Sequence, residues 1–443
     1  MEEQSQNYFQ DNLNIRIAII GLGFVGLPLA MLLIKKGFYV TGIDIDDIKV
    51  SSLNEGISYL PDIKGEDVKI AISSGKFLVT NDYDLIKDQN VIIICVPTPL
   101  TSYSFPDLSY LQEAAESITK RIQKNQLVIL ESSTYPGTTK EVLQPILEKS
   151  NLRVGHDIFL SYSPERIDPG NDLFQINQIP KVVSGLTANC EKRVYDLYTK
   201  IYEQVILVNS TEIAELTKLL ENSYRFVNIS FINEFAMLCD KLNVNVWDVI
   251  DAASTKPYGF QPFYPGPGIG GHCIPVDPLY LFWKAKQHGF DVQFLQLSTQ
   301  INHIIPRYIV KQITKLIQSR LPIDEADILI YGVAYKKNIN DSRESPASHI
   351  ISSLLNLGAH VQYHDPFVPE IIIDGKKLAS VSLSNELLQK ADCLVILTDH
   401  SLIPIQDILD KSKLVYDTKN VTKGHFGKAE VFRLGGGDKN DYL

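Results

Sequence analysis

Residues 17–34 form an uncharged run of 18 residues, IAIIGLGFVGLPLAMLLI, at the lower limit of what crosses a bilayer as one helix. Gly21, Gly23, Gly26 and Pro28 interrupt it and divide it into a short β-branched run and a Leu-rich run. That division reads as strand, turn and helix, so no membrane partner is expected. The turn, Gly21-Leu-Gly23-Phe24-Val25-Gly26, has the spacing G-x-G-x-x-G. Alone the hexapeptide is a weak signal, but between a strand and a helix each glycine has a task. Gly21 permits the tight turn, Gly23 lets a pyrophosphate approach the backbone, and Gly26 lets the helix pack on the strand. The next β-rich run, FYVTGID, ends in Asp44, 18 residues after Gly26. A carboxylate there accepts both ribose hydroxyls of an adenosine and repels a 2′-phosphate, so the expected cofactor is NAD and not NADP. The alternative is a Rossmann domain that binds another nucleotide, or none.

The 443 residues leave room for two or three domains. From Ile15 to Asn209 the runs IRIAII, FYVTGID, NVIIICV, QLVILES, DIFLSYS, KVVSG and QVILVNS alternate with helical patterns, which predicts a parallel sheet and an NAD-binding Rossmann domain over 15–209. Over 210–320 the pattern is long-helical, broken by one loop rich in Pro and Gly, KPYGFQPFYPGPGIGGHCIP. A central helical domain follows, with exposed apolar stretches fit for a homodimer contact. From 321 to 443 the alternation returns in ADILIYGVAY, HVQYHDP, ADCLVILT and KLVYDTK, a smaller Rossmann-like α/β domain. The expected fold class is therefore α/β, with an N-terminal Rossmann domain, a central helical domain and a C-terminal Rossmann-like domain. Residues 1–14, MEEQSQNYFQDNLN, carry no apolar period and read as a flexible tail.

Forty-two basic against 52 acidic residues give a net charge of -10, and no basic run is long enough to track phosphates, which argues against a nucleic-acid partner. The five cysteines are widely spaced and form no C-x-x-C pair. That usage fits reduced thiols in a cytoplasm and supports neither a disulfide framework nor a structural metal. Cys95 and Cys393 on apolar strands and Cys239 in a helix read as small buried hydrophobes. Cys273 differs. It follows the glycine-rich approach Gly266-Pro-Gly-Ile-Gly-Gly-His and precedes Asp277 by four residues. Glycines at that density bring backbone close to a ligand, and His272 beside the thiol favours the thiolate, so Cys273 reads as a nucleophile.

With these residues in view the chain resembles the UDP-glucose/GDP-mannose dehydrogenase family, whose members oxidise the C6 alcohol of a nucleotide sugar to a carboxylate in two NAD-dependent steps. The resemblance runs through GLGFVGLPLA, ICVPTPL at 94–100, ESSTYPGTT at 131–139, SPERIDPGN at 163–171, EIAELTKLLENS at 212–223, the GGHC loop and GVAYKKNINDSRES at 332–345. It implies that Cys273 attacks the C6 aldehyde to give a thiohemiacetal, whose oxidation leaves a thioester for hydrolysis. It implies that Lys218, with Asn222 in A-E-x-x-K-x-x-x-N, stabilises the charge developing on the C6 oxygen. Glu165 and Asp277 are similar to the carboxylates that handle the hydrolytic water or orient its neighbours, with Thr134 as a hydrogen-bonding partner; which of the two is the base stays open. The resemblance assigns Phe24, Val25, Lys49, Pro97, Thr98, Thr134 and Arg343 to the cofactor. To the sugar nucleotide it assigns Arg166, Tyr264, Gly270, Tyr335 and Lys336, besides Glu165, Lys218 and Asn222. One departure stands out: many members carry Arg in D-x-R-N, where this chain has Asp417-Thr-Lys419-Asn. A lysine there cannot form a two-pronged contact.

SPERIDPGN and the Pro-rich loop resemble the branch acting on UDP-N-acetylhexosamines, UDP-N-acetylglucosamine above all, with UDP-N-acetylmannosamine and UDP-glucose as alternatives; such products feed polysaccharide biosynthesis. A one-step dehydrogenase of the hydroxyacid type needs neither Cys273 nor a second α/β domain. A silent nucleotide-sugar binding protein needs no nucleophile at all. The yield of NADH per sugar separates the three: two, one or none.

Overall fold

The structure, a computed structural model, describes residues 15–60, 62–101, 105–167, 174–271 and 274–437. The tail expected over 1–14 lies outside them, as do His272 and Cys273. The chain forms two compact units: one comprises the chain up to Glu221 with Leu279–Phe290, the other Asn222–Pro278 with the chain from Asp291 onward.

The first unit is built on β1 (Arg16–Ile20), β2 (Tyr39–Ile43), β3 (Phe77–Thr80), β4 (Val91–Ile94), β5 (Leu127–Leu130), β6 (Phe159–Tyr162), β7 (Lys181–Gly185) and β8 (Val205–Leu207). They form one sheet in the order β3-β2-β1-β4-β5-β6-β7-β8. β1 pairs in parallel with β2 on one side and β4 on the other, Ile17 lying opposite Val40 and Val91. β4 and β5 read VIII and LVIL because helices cover both faces of a parallel sheet, and every residue in them is buried. The chain leaves β1 in one direction and returns to its other side at β4, which makes the carboxyl ends of these two strands a topological switch point.

Two features correct the sequence reading. β3 was not anticipated: FLVT is four residues long at the sheet edge, with Leu78 half exposed. And β7 is not parallel to its neighbour; it runs antiparallel to β6, with Ser161 opposite Gly185 and Tyr162 opposite Ser184. A parallel return needs a crossover, usually helical, whereas the described part of the β6–β7 connection holds only a single turn at Ile176–Gln178. β8 is parallel to β7 because the helix Ala188–Tyr198 supplies that crossover.

The second unit carries β9 (Asp327–Tyr331), β10 (His360–His364), β11 (Glu370–Ile373), β12 (Lys376–Ala379), β13 (Cys393–Ile396), β14 (Leu414–Asp417) and β15 (Glu430–Arg433). Five form a parallel sheet, β10-β9-β13-β14-β15, and β11 and β12 form a hairpin. The hairpin and β15 escaped the sequence reading because KKLA and EVFR are too polar to register as strands. The helix Gln293–Gln318 lays Ile305, Ile309, Ile313 and Ile317 at four-residue spacing into the core with Ile328 and Ile330 of β9. The helix Val246–Ser254 is capped by Asn245, which accepts from the Trp247 N–H, and the indole of Trp247 donates to the Leu434 carbonyl. The 32-residue helix Thr211–Leu242 begins in the first unit and continues into the second.

Candidate active site

The glycine turn is confined by its own backbone. Gly21 has φ +92°, a region L side chains rarely adopt, and a Cβ there would stand 2.8 Å from the Cys95 carbonyl oxygen. A Cβ on Gly26 would stand 1.9 Å from the Gly21 carbonyl oxygen, so the helix Gly26–Lys35 approaches the turn only because that residue has no side chain. At Gly23 nothing lies within 4 Å of the corresponding point, which is the open space a diphosphate needs. Phe24 is exposed and Val25 packs against the core of this unit. Asp44 follows β2 and is buried; one carboxylate oxygen accepts from the Leu22 N–H at 2.8 Å and the other from the Asp46 N–H at 3.0 Å. These bonds fix the carboxylate beside the turn with acceptor capacity left over. Lys49 Nζ lies 3.7 Å from it.

Beyond β4, Pro97 is exposed while Thr98 is buried, its hydroxyl donating to the Ser133 carbonyl. Beyond β5, Thr134 is 1% exposed and its Oγ1 has no hydrogen-bond partner among the described residues. A buried orphan hydroxyl at the ligand edge of a sheet is what a bound group would satisfy. The open space at Gly23, the acid at Asp44 and this hydroxyl together fit NAD.

Glu165, in the loop after β6, is 8% exposed. One of its carboxylate oxygens accepts from the main-chain N–H groups of Arg166 and Ile167, each at 2.6 Å, and the other from Lys181 Nζ at 3.2 Å. Burial opposes its ionisation, but the Lys181 ammonium, the Ile167 N–H and the nearby Lys218 outweigh it and hold the carboxyl below the usual glutamate range. Lys218, on the long helix, is buried too and donates to the main-chain carbonyl of Glu165 at 2.6 Å. The Arg166 guanidinium is bound to Glu221 at 2.6 Å and to the Pro180 carbonyl at 2.6 Å.

In the second unit Asn222 Nδ2 donates to Asp277 Oδ2 at 2.5 Å, and both residues are buried. Asp277 opens the helix Asp277–Gln287. The loop leading to residue 273 is pinned at three points. The Gly266 N–H donates to Asn233 Oδ1 at 2.9 Å, and the Gly271 N–H to the Arg343 carbonyl at 3.1 Å. Between them Asn302 clasps Ile269 by both ends of its amide, accepting from its N–H at 2.7 Å and donating to its carbonyl at 3.2 Å. A Cβ on Gly270 would stand 2.8 Å from Tyr335 Cβ, so this glycine lets the loop lie against Tyr335. Tyr264 is half exposed and stacks on Trp247.

Tyr335 and Lys336 line a cavity of about 240 Å³ with Lys337, Thr398, Asp399 and Lys419. Lys419, the residue that departs from D-x-R-N, lies 3.7 Å from Asp399. Three lysines and a tyrosine lining a small cavity suit an anionic nucleotide. Arg343 forks onto Asp341, with contacts of 3.0 and 2.7 Å.

Lys181, Asn233 and Asn302 carry no mark in the sequence, and Glu131 and Glu215 are marked only as members of ESSTYPGTT and A-E-x-x-K-x-x-x-N. Glu215 lies three residues before Lys218, fully buried, and accepts from the main-chain N–H groups of Gly137 and Thr139 and from the Thr139 hydroxyl. It ties the long helix to the loop that carries Thr134. The only available signal is its place inside EIAELTKLLENS.

The profile of the UDP-glucose/GDP-mannose dehydrogenase family matches three consecutive stretches: its NAD binding domain over 15–206, its central domain over 212–304 and its UDP binding domain over 329–424. The chain is 32% identical over 437 residues to the UDP-N-acetyl-D-mannosamine dehydrogenase of Methanococcus maripaludis, covering 95% of this chain and 96% of that one. It is 38% identical over 358 residues to a UDP-N-acetyl-D-glucosamine 6-dehydrogenase of Pseudomonas aeruginosa, covering 80% and 83%. Among solved structures, the UDP-D-ManNAc dehydrogenase of Pyrococcus horikoshii superposes with a TM-score of 0.87 at 32% identity, covering 96% of this chain and all of that one. A dinucleotide turn that leaves room for a diphosphate, a buried lysine and a second α/β domain thus fall within one continuous match, and the chain belongs to the UDP-glucose/GDP-mannose dehydrogenase family of NAD-dependent oxidoreductases.

Proposed function

We propose that this enzyme oxidises the C6 hydroxyl of UDP-N-acetyl-D-glucosamine to the uronic acid, releasing two NADH per sugar. The observation that carries the choice of sugar is the 38% identity to a UDP-N-acetyl-D-glucosamine 6-dehydrogenase, higher than the 32% to the relatives acting on the manno epimer. The second reading, UDP-N-acetylmannosamine, is favoured by those relatives' longer coverage and by the 0.87 superposition. Epimers at C2 differ by the direction of one acetamido group, so a few contacts decide between them.

In this reading NAD, when bound, is the hydride acceptor for both oxidations. Gly21, Gly23, Phe24, Val25 and Gly26 receive its diphosphate, Asp44 with Lys49 its adenosine ribose, and Pro97, Thr98, Thr134 and Arg343 the remainder. Lys218, held by the Glu165 carbonyl, stabilises negative charge on the C6 oxygen. The Cys273 thiolate then adds to the aldehyde carbon: the S–C bond forms and the carbonyl electron pair moves to oxygen, giving a thiohemiacetal. Loss of a hydride from C6 restores the carbonyl as a thioester. Water adds, the C–S bond breaks, and the thiolate leaves the acid. Asn222 and Asp277, already hydrogen-bonded to each other, serve the C6 oxygen and the water. Arg166, Tyr264, Gly270, Tyr335 and Lys336 hold the sugar nucleotide, the cavity at Tyr335 taking its UDP.

The reading extends to a cytoplasmic homodimer divided into domains at 15–209, 210–320 and 321–443. Cys95, Cys190, Cys239 and Cys393 are free and buried, and no described helix is long and apolar enough to cross a membrane. The test is a panel of UDP-sugars assayed with NAD, with the product identified by mass and the NADH counted. Two NADH and the N-acetylglucosaminuronic acid support the proposal. Faster turnover of UDP-N-acetylmannosamine selects the second reading.

A further inference from the structure

The reversed strand β7 puts its first residue, Lys181, where a parallel strand would not. Its side chain is 3% exposed and lies between two carboxylates, 2.8 Å from Glu131 and 3.2 Å from Glu165. Glu131 follows β5 and is fully buried, and the Tyr198 hydroxyl hydrogen-bonds to it. Tyr202 turns its ring toward the same ammonium, at 5.4 Å, and the Cys95 thiol is a further titratable neighbour. On the other side of Glu165 stands Lys218, while Arg166 is neutralised by Glu221. Resting on the reading of Lys218 and Glu165 given above, we propose that Lys181, clamped by Glu131 and Tyr198, is a positioning residue that holds Glu165 as the counter-ion of Lys218.

Glu131 and Glu165 share one ammonium in a dry interior, so their ionisation is coupled. Burial and the charge of Glu165 push the Glu131 carboxyl up despite Lys181, whereas Glu165, with two main-chain N–H donors that Glu131 lacks, is held down. Glu165 is therefore the more readily ionised of the two. The consequence falls on Lys218. Its main-chain hydrogen bond holds it next to this carboxylate, whose negative charge offsets that of the ammonium facing the oxyanion. Lys181 reaches neither sugar nor cofactor in this scheme; it acts through Glu165. A carboxylate so fully engaged is also a weak base, which assigns Glu165 to charge balance and not to water activation.

The experiment is the pH dependence of kcat for the full-length enzyme with NAD and its best UDP-sugar, comparing wild type, Lys181→Met and Glu131→Gln. Removing the ammonium raises the Glu165 pKa. The acidic limb of Lys181→Met therefore moves up by at least about one unit, so that its kcat relative to wild type falls by about tenfold at pH values below both limbs and recovers towards pH 8.5. Glu131→Gln removes the negative charge competing for Lys181, so its limb stays in place or moves down. A merely structural role gives parallel profiles, and a Lys181→Met profile parallel to wild type overturns the proposal. If Lys181→Met does not fold, Lys181→Gln, which keeps a hydrogen bond without the charge, is read in the same way: an upward shift of its limb supports the proposal and a parallel profile overturns it. Glu165→Gln is the control on the underlying reading. If that variant turns over like wild type, the roles of Glu165 and Lys218 fail, whatever Lys181 does.

Discussion

Cys273 and Glu215 represent two kinds of residue, one whose sequence surroundings announce a role and one that stands in a motif without any sign of what it touches. The glycine-rich approach makes Cys273 a nucleophile in a sequence reading, and its chemistry makes a separable prediction. Alcohol oxidation needs no covalent bond to the enzyme, whereas taking the aldehyde to the acid is served by an attached sulfur. Cys273→Ala should therefore release aldehyde with one NADH and form no acid, as read by product mass under excess NAD; full conversion to the acid would exclude a thioester. Glu215 makes a prediction about stability. Burial pushes its carboxyl from 4.5 up to about 7, against the hydrogen bonds from Thr139 and Gly137. A raised carboxyl pKa favours the protonated folded state, so its contribution is complete below pH 4.5 and is lost as pH rises through 7. The span corresponds to at most about 3 kcal/mol. Urea midpoints of wild type and Glu215→Gln measured from pH 4.5 to 8 should show a fall in wild type that the variant lacks.

At the scale of elements, the glycine-rich loop from Gly266 to Gly271 depends on a neighbouring helix for its order. A loop with six residues from Gly266 to Gly271, four of them glycine, has a large conformational entropy to lose. Asn302, from the helix Gln293–Gln318, offsets part of that cost by closing two hydrogen bonds on Ile269 in the manner of a strand neighbour. Asn302→Ala leaves the Ile269 N–H unsatisfied and frees the loop. Turnover should fall by about tenfold or more through misplacement of residue 273, with a stability loss of only about 1–3 kcal/mol. The KM for NAD should not change, because the glycine turn belongs to another element. An increase in that KM equal to the loss in kcat would show that the loop is not what Asn302 serves.

Across the whole molecule, exposed apolar surface points to a second copy of the chain. On the helix Thr211–Leu242, Tyr224, Phe231 and Leu238 recur every seven residues and are exposed, and Phe294 and Leu297 are exposed on the helix Gln293–Gln318. A stripe at seven-residue spacing is the seam along which helices pair. Sedimentation should return about twice the chain mass of 49.8 kDa, and Phe231→Asp with Leu238→Asp should shift it towards one. Sedimentation of wild type as a monomer at micromolar concentration would remove the dimer from the proposal.

The sequence by itself determined the cofactor turn, the class of both α/β domains and the family. Those signals are local: Gly21 and Gly26 are demanded by atoms within a few residues or on the adjoining strand, and an apolar run of four or five residues announces a buried strand wherever it lies. The direction of a strand is not local. KVVSG has the same apolar pattern whether β7 runs with β6 or against it, and only the pairing of Tyr162 with Ser184 puts Lys181 at the ligand edge of the sheet. Along a parallel β7 that residue would stand at the opposite edge, about 13 Å away by strand rise. Asn302 and Glu215 are hidden for the same reason: each lies within a helix whose sequence does not say which face meets a loop, and their partners are 33 and 76–78 residues away. What a backbone can adopt is written in neighbouring residues, while which charges end up together is decided by the packing of elements far apart in the chain.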